Sequence, residues 1–171
     1  MVFSSALSQS TFHYNSPYWS STNSYNTLAW ETGFDTQEAK LPTYWNTPFS
    51  KICLGMKIGQ QIKFIVMNKQ ANSLYSLIAD GQRRLTSLGR DTWLSLMGSY
   101  GYLESNCRRE GFNILSDDTS MGKARIGIIG NNENDCVTSD TRIGFGTGGL
   151  HNDASTCGSQ DRTSIGYILV Q

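Results

Sequence analysis

Between residues 131 and 140 the chain reads Asn131-Asn132-Glu133-Asn134-Asp135-Cys136-Val137-Thr138-Ser139-Asp140. Carboxylates, amides and hydroxyls packed this densely do not build an apolar core. They are hard oxygen donors, and Ca²⁺ takes about 6–8 of them. A glycine run, Gly144-Phe145-Gly146-Thr147-Gly148-Gly149, follows, and then His151-Asn152-Asp153. From 130 to 164 there is almost no periodic apolar pattern, and a structureless stretch of that length is functional or disordered. The expectation is a metal and ligand site built from loop, held in order by a disulfide and by the metal.

The candidate metal ligands in this stretch are Asn132, Glu133, Asn134, Asp135 and Asp140. The pattern lacks the residue order, terminal glutamate and flanking helices of an EF-hand. Its competitor is an Asn/Asp-rich turn whose side chains bond only their own backbone. The glycine run matches neither a phosphate loop nor a dinucleotide fingerprint. It suits a backbone that passes close to another group or adopts positive φ. His151 and His13 are the only histidines, and His151, in its polar setting, is a candidate to meet a ligand hydroxyl or a metal.

With 171 residues the chain suits one domain spanning 1–171. Its formal net charge of zero removes the main argument for nucleic acid or an anionic membrane as partner. No apolar run reaches the length of a membrane span, so no membrane insertion is expected. The opening residues lack the basic and apolar regions of a secretory signal, which leaves the compartment to the cysteines. Cys53, Cys107, Cys136 and Cys157 form no C-x-x-C pair. Their even count in a loop-rich chain favours two disulfides and a secreted, extracellular setting. Of three possible pairings, Cys53–Cys107 with Cys136–Cys157 is the one expected; four buried thiols are the alternative.

Residues 53–58 and 62–67 are β-prone and are separated by a polar turn, which predicts a hairpin. Asp91 is placed to cap a short helix over 92–97 that Gly98 stops. Residues 112–115, 125–129 and 165–170 read as strands. The first 30 residues are poor in charge but rich in aromatics, and are expected to lie irregularly on the body of the domain.

No pattern supports catalysis. There is no G-x-S-x-G. Glu104, Glu110, Glu133 and Asp135 offer carboxylates, but nothing singles out the facing pair a glycosidase needs. The chain is therefore not read as an enzyme. Aromatic rings pack against the apolar face of a hexose. Tyr18-Trp19, Tyr44-Trp45, Phe145 and Tyr167 are possible platforms, with core packing as the competing reading for each.

Residues 110–113, 124–128, 131–136, 143–146 and 166–170 together resemble modules of cnidarian extracellular and skeletal-matrix proteins, over about residues 25–171. Tyr25-Asn26-Thr27-Leu28, Leu54-Gly55-Met56, Ser87-Leu88-Gly89 and the spacing from Ile143 to Cys157 are more distantly similar to intelectins and other fibrinogen-related domains. The chain's size resembles that of stand-alone sea-anemone lectins. The resemblance implies an α+β, β-rich fold. Its parts would be a twisted, mainly antiparallel sheet, short helices and a long ordered loop region, as in fibrinogen-like and intelectin-like domains. It further implies a secreted homodimer that binds galactose-containing glycans through Ca²⁺. Carried over, the sugar-touching metal ligands fall at Asp140 before the glycine run and His151 after it, with Asp153 close by. The intelectin aromatic box is shortened here, and Gln160 and Asp161 stand in its place as oxygen donors.

These readings combine into one expectation. Asn132, Glu133, Asn134, Asp135, Asp140 and Asp153 hold Ca²⁺. Asp140, His151, Asp153, Gln160, Asp161 and Phe145 meet the sugar. The alternative is a non-catalytic extracellular matrix or adhesion module in which calcium only staples the loop.

Overall fold

The computed structural model of the chain describes residues 11–30, 37–150 and 164–171. Apolar residues at alternate positions, bounded by turns, build its first sheet. In β1 (Phe49–Ile58) the side chains of Ile52, Leu54, Met56 and Ile58 are buried, which is the period of a strand with one face on a core. Gly59 and Gln60 turn the chain, with Gly59 at φ 60°, into β2 (Gln61–Ala71). The C-terminal β7 (Ser164–Val170) returns antiparallel along the other side of β1, giving the order β2-β1-β7. This is the hairpin the sequence predicts, extended by the predicted C-terminal strand.

The second sheet has four antiparallel strands in the order β3-β4-β5-β6. They are β3 (Arg84–Leu85), β4 (Asn106–Leu115), β5 (Lys123–Asn131) and β6 (Thr141–Gly148). Two features depart from expectation. The strands form two sheets where one was expected, and most of the glycine run is strand β6 where loop was expected. The reason is close approach between backbones. A Cβ on Gly144 would lie 2.2 Å from the Ile126 carbonyl oxygen, and one on Gly127 would lie 2.4 Å from that of Ile143. Only glycine lets β5 and β6 lie this close.

Among the described residues there are three short α-helices, α1 (Thr43–Asn46), α2 (Leu74–Ile78) and α3 (Arg90–Met97), besides three turns of 3-10 helix. Helix α3 touches strands of both sheets and buries Trp93, Leu96 and Met97 in one shared core. The cap expected at Asp91 lies elsewhere. Gly89, at φ 85°, holds the N-cap position, and Asp91 sits exposed in the first turn. The carboxylate of Glu110 on β4 explains the shift. It accepts hydrogen bonds from the Gly89 amide at 2.9 Å, from the Thr86 hydroxyl at 3.2 Å and from the Trp93 indole. Glu110 thus ties the helix start to the sheet.

Residues 11–30 pack as the aromatics suggest, and residues 1–10 lie outside the described residues. Phe12, Trp19 and Tyr44 are buried and meet edge-on, with ring centroids 6.0 Å and 6.4 Å apart for the pairs Phe12–Trp19 and Trp19–Tyr44. Lys40 is buried among them. Its ammonium donates to the carbonyls of Tyr18 and Ser21, each at 2.6 Å, and lies 4.6 Å from the Tyr44 ring centre. The Arg125 guanidinium stacks on Tyr14 and donates to its carbonyl at 2.8 Å.

Candidate functional site

The residues of greatest chemical interest gather at one end of the second sheet. β5 ends at Asn131, the loop 132–140 follows, and β6 starts at Thr141 opposite Gly130. On the other side of β5, Asn106 at the start of β4 pairs with Asn131. This register brings Cys107 next to the loop, where it forms a disulfide with Cys136. The expected pairings Cys53–Cys107 and Cys136–Cys157 are thereby corrected. Cys53 lies on β1 in the other sheet as a free, half-buried thiol whose pKa is raised by burial. Cys157 lies outside the described residues.

The loop is tied down along its length. Cys136 and Val137 carbonyls accept from the amides of Asp117 and Asp118 at 2.8 Å and 3.0 Å, and the Ser139 carbonyl accepts from Gly122 at 2.7 Å. Asp135 turns one carboxylate oxygen back into the loop, accepting from the Val137 amide at 2.8 Å and from the Asn131 side chain at 3.1 Å. That is the turn-type bonding expected of an Asx-rich stretch. Asn132, Glu133 and Asn134 are exposed.

The close meeting of carboxylates is between Asp140 and Glu104. Glu104 lies in the segment before β4, which crosses β5 over Gly130. Its amide donates to the Thr141 hydroxyl at 3.1 Å, and that hydroxyl reaches the Glu104 carboxylate at 3.4 Å. The Glu104 and Asp140 side chains share a hydrogen bond. Burial, that bond, and the negative charges of Asp140 and Glu133 push the Glu104 carboxyl up to about 7; the Thr141 hydroxyl opposes the rise. Two half-buried carboxylates in contact must hold a proton or a cation between them. The side chain of Asn131 is fully buried beside this loop, and its carbonyl oxygen has no hydrogen-bond donor. Carboxylate, hydroxyl and amide oxygens are the donor chemistry that a hard cation takes.

Among the described residues, no three His, Cys, Asp or Glu side chains are gathered in a metal-holding group. The pair Glu104–Asp140 is what the fold converges, with Glu133 near enough to act on it electrostatically. His151, Asp153, Gln160 and Asp161 lie outside the described residues. Phe145 is 2% exposed in the core and presents no open ring face, and Trp19, Tyr44 and Tyr167 are likewise buried. In the sequence Glu104 is one of several scattered carboxylates. Nothing near it in the chain marks it, because its partner arrives from the loop before β6.

No known family model, curated protein or solved structure matches the chain.

Proposed function

We propose that the chain is a secreted, calcium-dependent carbohydrate-binding protein. It recognises galactose or terminal galactosides, and it does so as a homodimer. The observation that supports this reading above the others is the contact between Glu104 and Asp140 beside Thr141, at the mouth of a disulfide-anchored loop rich in oxygen donors. The Glu104 and Asp140 carboxylates would hold the ion, and Glu133, whose charge acts on Glu104, stands near enough to add an oxygen. When bound, Ca²⁺ supplies a Lewis-acidic point of attachment for two adjacent pyranose hydroxyls.

The protein's own groups account for selectivity. Carboxylate oxygens of Glu104 and Asp140 accept from the same sugar hydroxyls and so fix their directions. Axial and equatorial hydroxyls point differently, which separates galactose from glucose. Hydrolysis is disfavoured by distance. A glycosidase holds its carboxyl groups about 5–9.5 Å apart across the bond it cleaves, whereas Glu104 and Asp140 touch. A lone site of this kind binds weakly, so cell-surface binding relies on linked copies.

The test is calorimetric titration of galactose with Ca²⁺ in excess and again with chelator. Heat of binding only in the presence of Ca²⁺ is expected, and equal affinity in both removes the ion from the reading. Asp140→Ala, measured with excess Ca²⁺, should abolish sugar binding with little change in melting temperature. Loss of folding without any sugar binding in the parent chain would instead assign the site to a structural staple in an adhesion module.

A further inference from the structure

The segment that carries Glu104 alternates in burial. Gly101 is extended, at φ −71° and ψ 126°. After it Tyr102 is 61% exposed, Leu103 is buried and Glu104 is half-buried. In extended chain, residues two apart lie on one side, about 6–7 Å from each other. Tyr102 and Glu104 therefore share a side, and Leu103 faces the core. The backbone is pinned before and after the tyrosine. The Gly101 amide donates to the Gly98 carbonyl at 3.3 Å, and a Cβ on Gly101 would lie 3.1 Å from the Leu94 carbonyl oxygen of α3. The Leu103 carbonyl accepts from the Arg90 guanidinium, and the Glu104 amide donates to the Thr141 hydroxyl at 3.1 Å. Among the described side chains Tyr102 is the most exposed aromatic, whereas Trp19, Tyr44, Phe145 and Tyr167 are buried.

We propose that the Tyr102 ring is the platform on which the apolar face of the sugar lies, beside the calcium held by Glu104 and Asp140. The inference rests on the calcium-dependent galactose reading and supplies the aromatic surface that the buried rings do not. An aromatic ring packs its face against C–H bonds and leaves its hydroxyl in water. Tyrosine offers that area with only two side-chain torsions to fix, and here the backbone on either side is already held, so ordering the ring on binding costs little. The platform also bears on selectivity. In galactose the 4-hydroxyl is axial, and the C3–H, C4–H and C5–H bonds lie together on the opposite face as one apolar patch. In glucose the C4–H bond lies on the other face from its two neighbours, and the patch is broken. A ring on that face favours galactose independently of how the ion orients the hydroxyls.

The probe is methyl galactoside, with methyl glucoside for comparison, titrated with excess Ca²⁺ into the chain carrying isotope-labelled tyrosine rings. In the parent the sugar should shift the Tyr102 ring resonances, and saturating the rings should transfer magnetisation to the sugar's H3, H4 and H5. Tyr102→Ala should weaken galactoside binding by about tenfold and narrow the preference over glucoside. Calcium affinity and melting temperature should stay unchanged, because the ring is exposed. Tyr102→Phe should keep binding and preference, since the contact is made by the ring. Should the alanine variant not fold, Tyr102→Leu, apolar but without a ring face, carries the same expectation. Galactoside affinity equal to the parent's in Tyr102→Ala, with Ca²⁺ still required, would overturn the platform and leave the calcium reading standing. So would an equal loss of calcium affinity, or a loss in Tyr102→Phe as large as in Tyr102→Ala. No galactoside binding by the parent, or binding unchanged by chelator, would instead overturn the calcium reading, and this inference with it.

Discussion

Cys107, at the start of β4, is bonded to Cys136, in the loop between β5 and β6. The bridge spans 29 positions and closes a segment that contains most of two paired strands. Cross-linking a loop of this length restricts the unfolded chain by about 3–4 kcal/mol in the chain-entropy account. The double variant C107S/C136S should lose stability of that order in denaturant titration. It should also lose calcium affinity more than Asp135→Asn does, because the bridge holds the whole loop against the sheet whereas Asp135 holds one turn of it. Peptide mapping without reduction should recover Cys107 and Cys136 together. A bridge from Cys107 to Cys53 would contradict the strand register itself.

The second prediction concerns protons. The Glu104 carboxyl is raised from an ordinary value of 4.5 to about 7, chiefly by burial and then by Asp140. A raised carboxyl holds its proton more tightly in the folded chain than in the unfolded one. Its contribution to stability is therefore full below about pH 4.5 and is lost as pH rises to about 7 when no cation is present. A cation competes with that proton, so calcium affinity should climb as pH passes from 6 to 8, by up to about tenfold for each unit below the carboxyl's own value. Glu104→Gln, which mimics the protonated acid, should flatten the pH dependence and weaken binding. Calorimetry with Ca²⁺ at the two pH values reads both effects; an affinity independent of pH in the parent chain would remove Glu104 from the site.

Much of this architecture is legible in the chain before any coordinates are seen. The β1–β2 hairpin and β7 are legible because β-prone runs alternate with a short polar turn, and α3 because Gly98, at φ 59°, ends it where a left-handed residue is needed. β6 is hidden because its glycines have no side chains to write a period; they are selected by how near β5 lies, which is a property of the pairing. The disulfide is misread from the sequence as Cys53–Cys107, because only the register of Asn106 with Asn131 brings Cys107 beside the loop. Asp140 could be picked out by its acidic surroundings. Glu104 could not, since what makes it special is the approach of two segments distant in sequence, the one before β4 and the loop before β6.

Lys40 gives a prediction about the N-terminal segment. Its ammonium is buried and is the donor to the carbonyls of Tyr18 and Ser21. Lys40→Met keeps the length of the side chain and leaves both carbonyls without that donor, at a cost of about 2–4 kcal/mol. Burial lowers the Lys40 amine from 10.5 to about 8, so the folded chain holds this proton less tightly than the unfolded chain does. The unfolded state thus binds more protons between those values, and the group's contribution rises with pH across that window. The gap in unfolding free energy between parent and variant should be wider at pH 9.5 than at pH 7. A gap that narrows would mean that the interaction with the Tyr44 and Trp45 rings outweighs desolvation and keeps the amine charged.

The last prediction separates the site's geometry from its charge. A Cβ on Gly130 would lie 2.8 Å from the Thr141 hydroxyl, 2.9 Å from the Glu104 carbonyl oxygen and 3.1 Å from the Glu104 amide nitrogen. Two of those atoms are backbone and cannot rotate aside. Gly130→Ala must therefore lift the Glu104 segment from the sheet and lengthen its hydrogen bond to Thr141. Overpacking of this kind costs about 1–3 kcal/mol. The larger effect should be on binding, with calcium and galactose affinity both reduced at least tenfold although no carboxylate has been removed. Gly59→Ala is the control: nothing lies within 4 Å of its Cβ, and its φ of +60° alone makes the change unfavourable. That variant should lose stability, by about 1 kcal/mol, and leave both affinities unchanged. If the two variants weaken binding equally, the effect comes from general destabilisation and the crossing of Glu104 over Gly130 has no special part in the site.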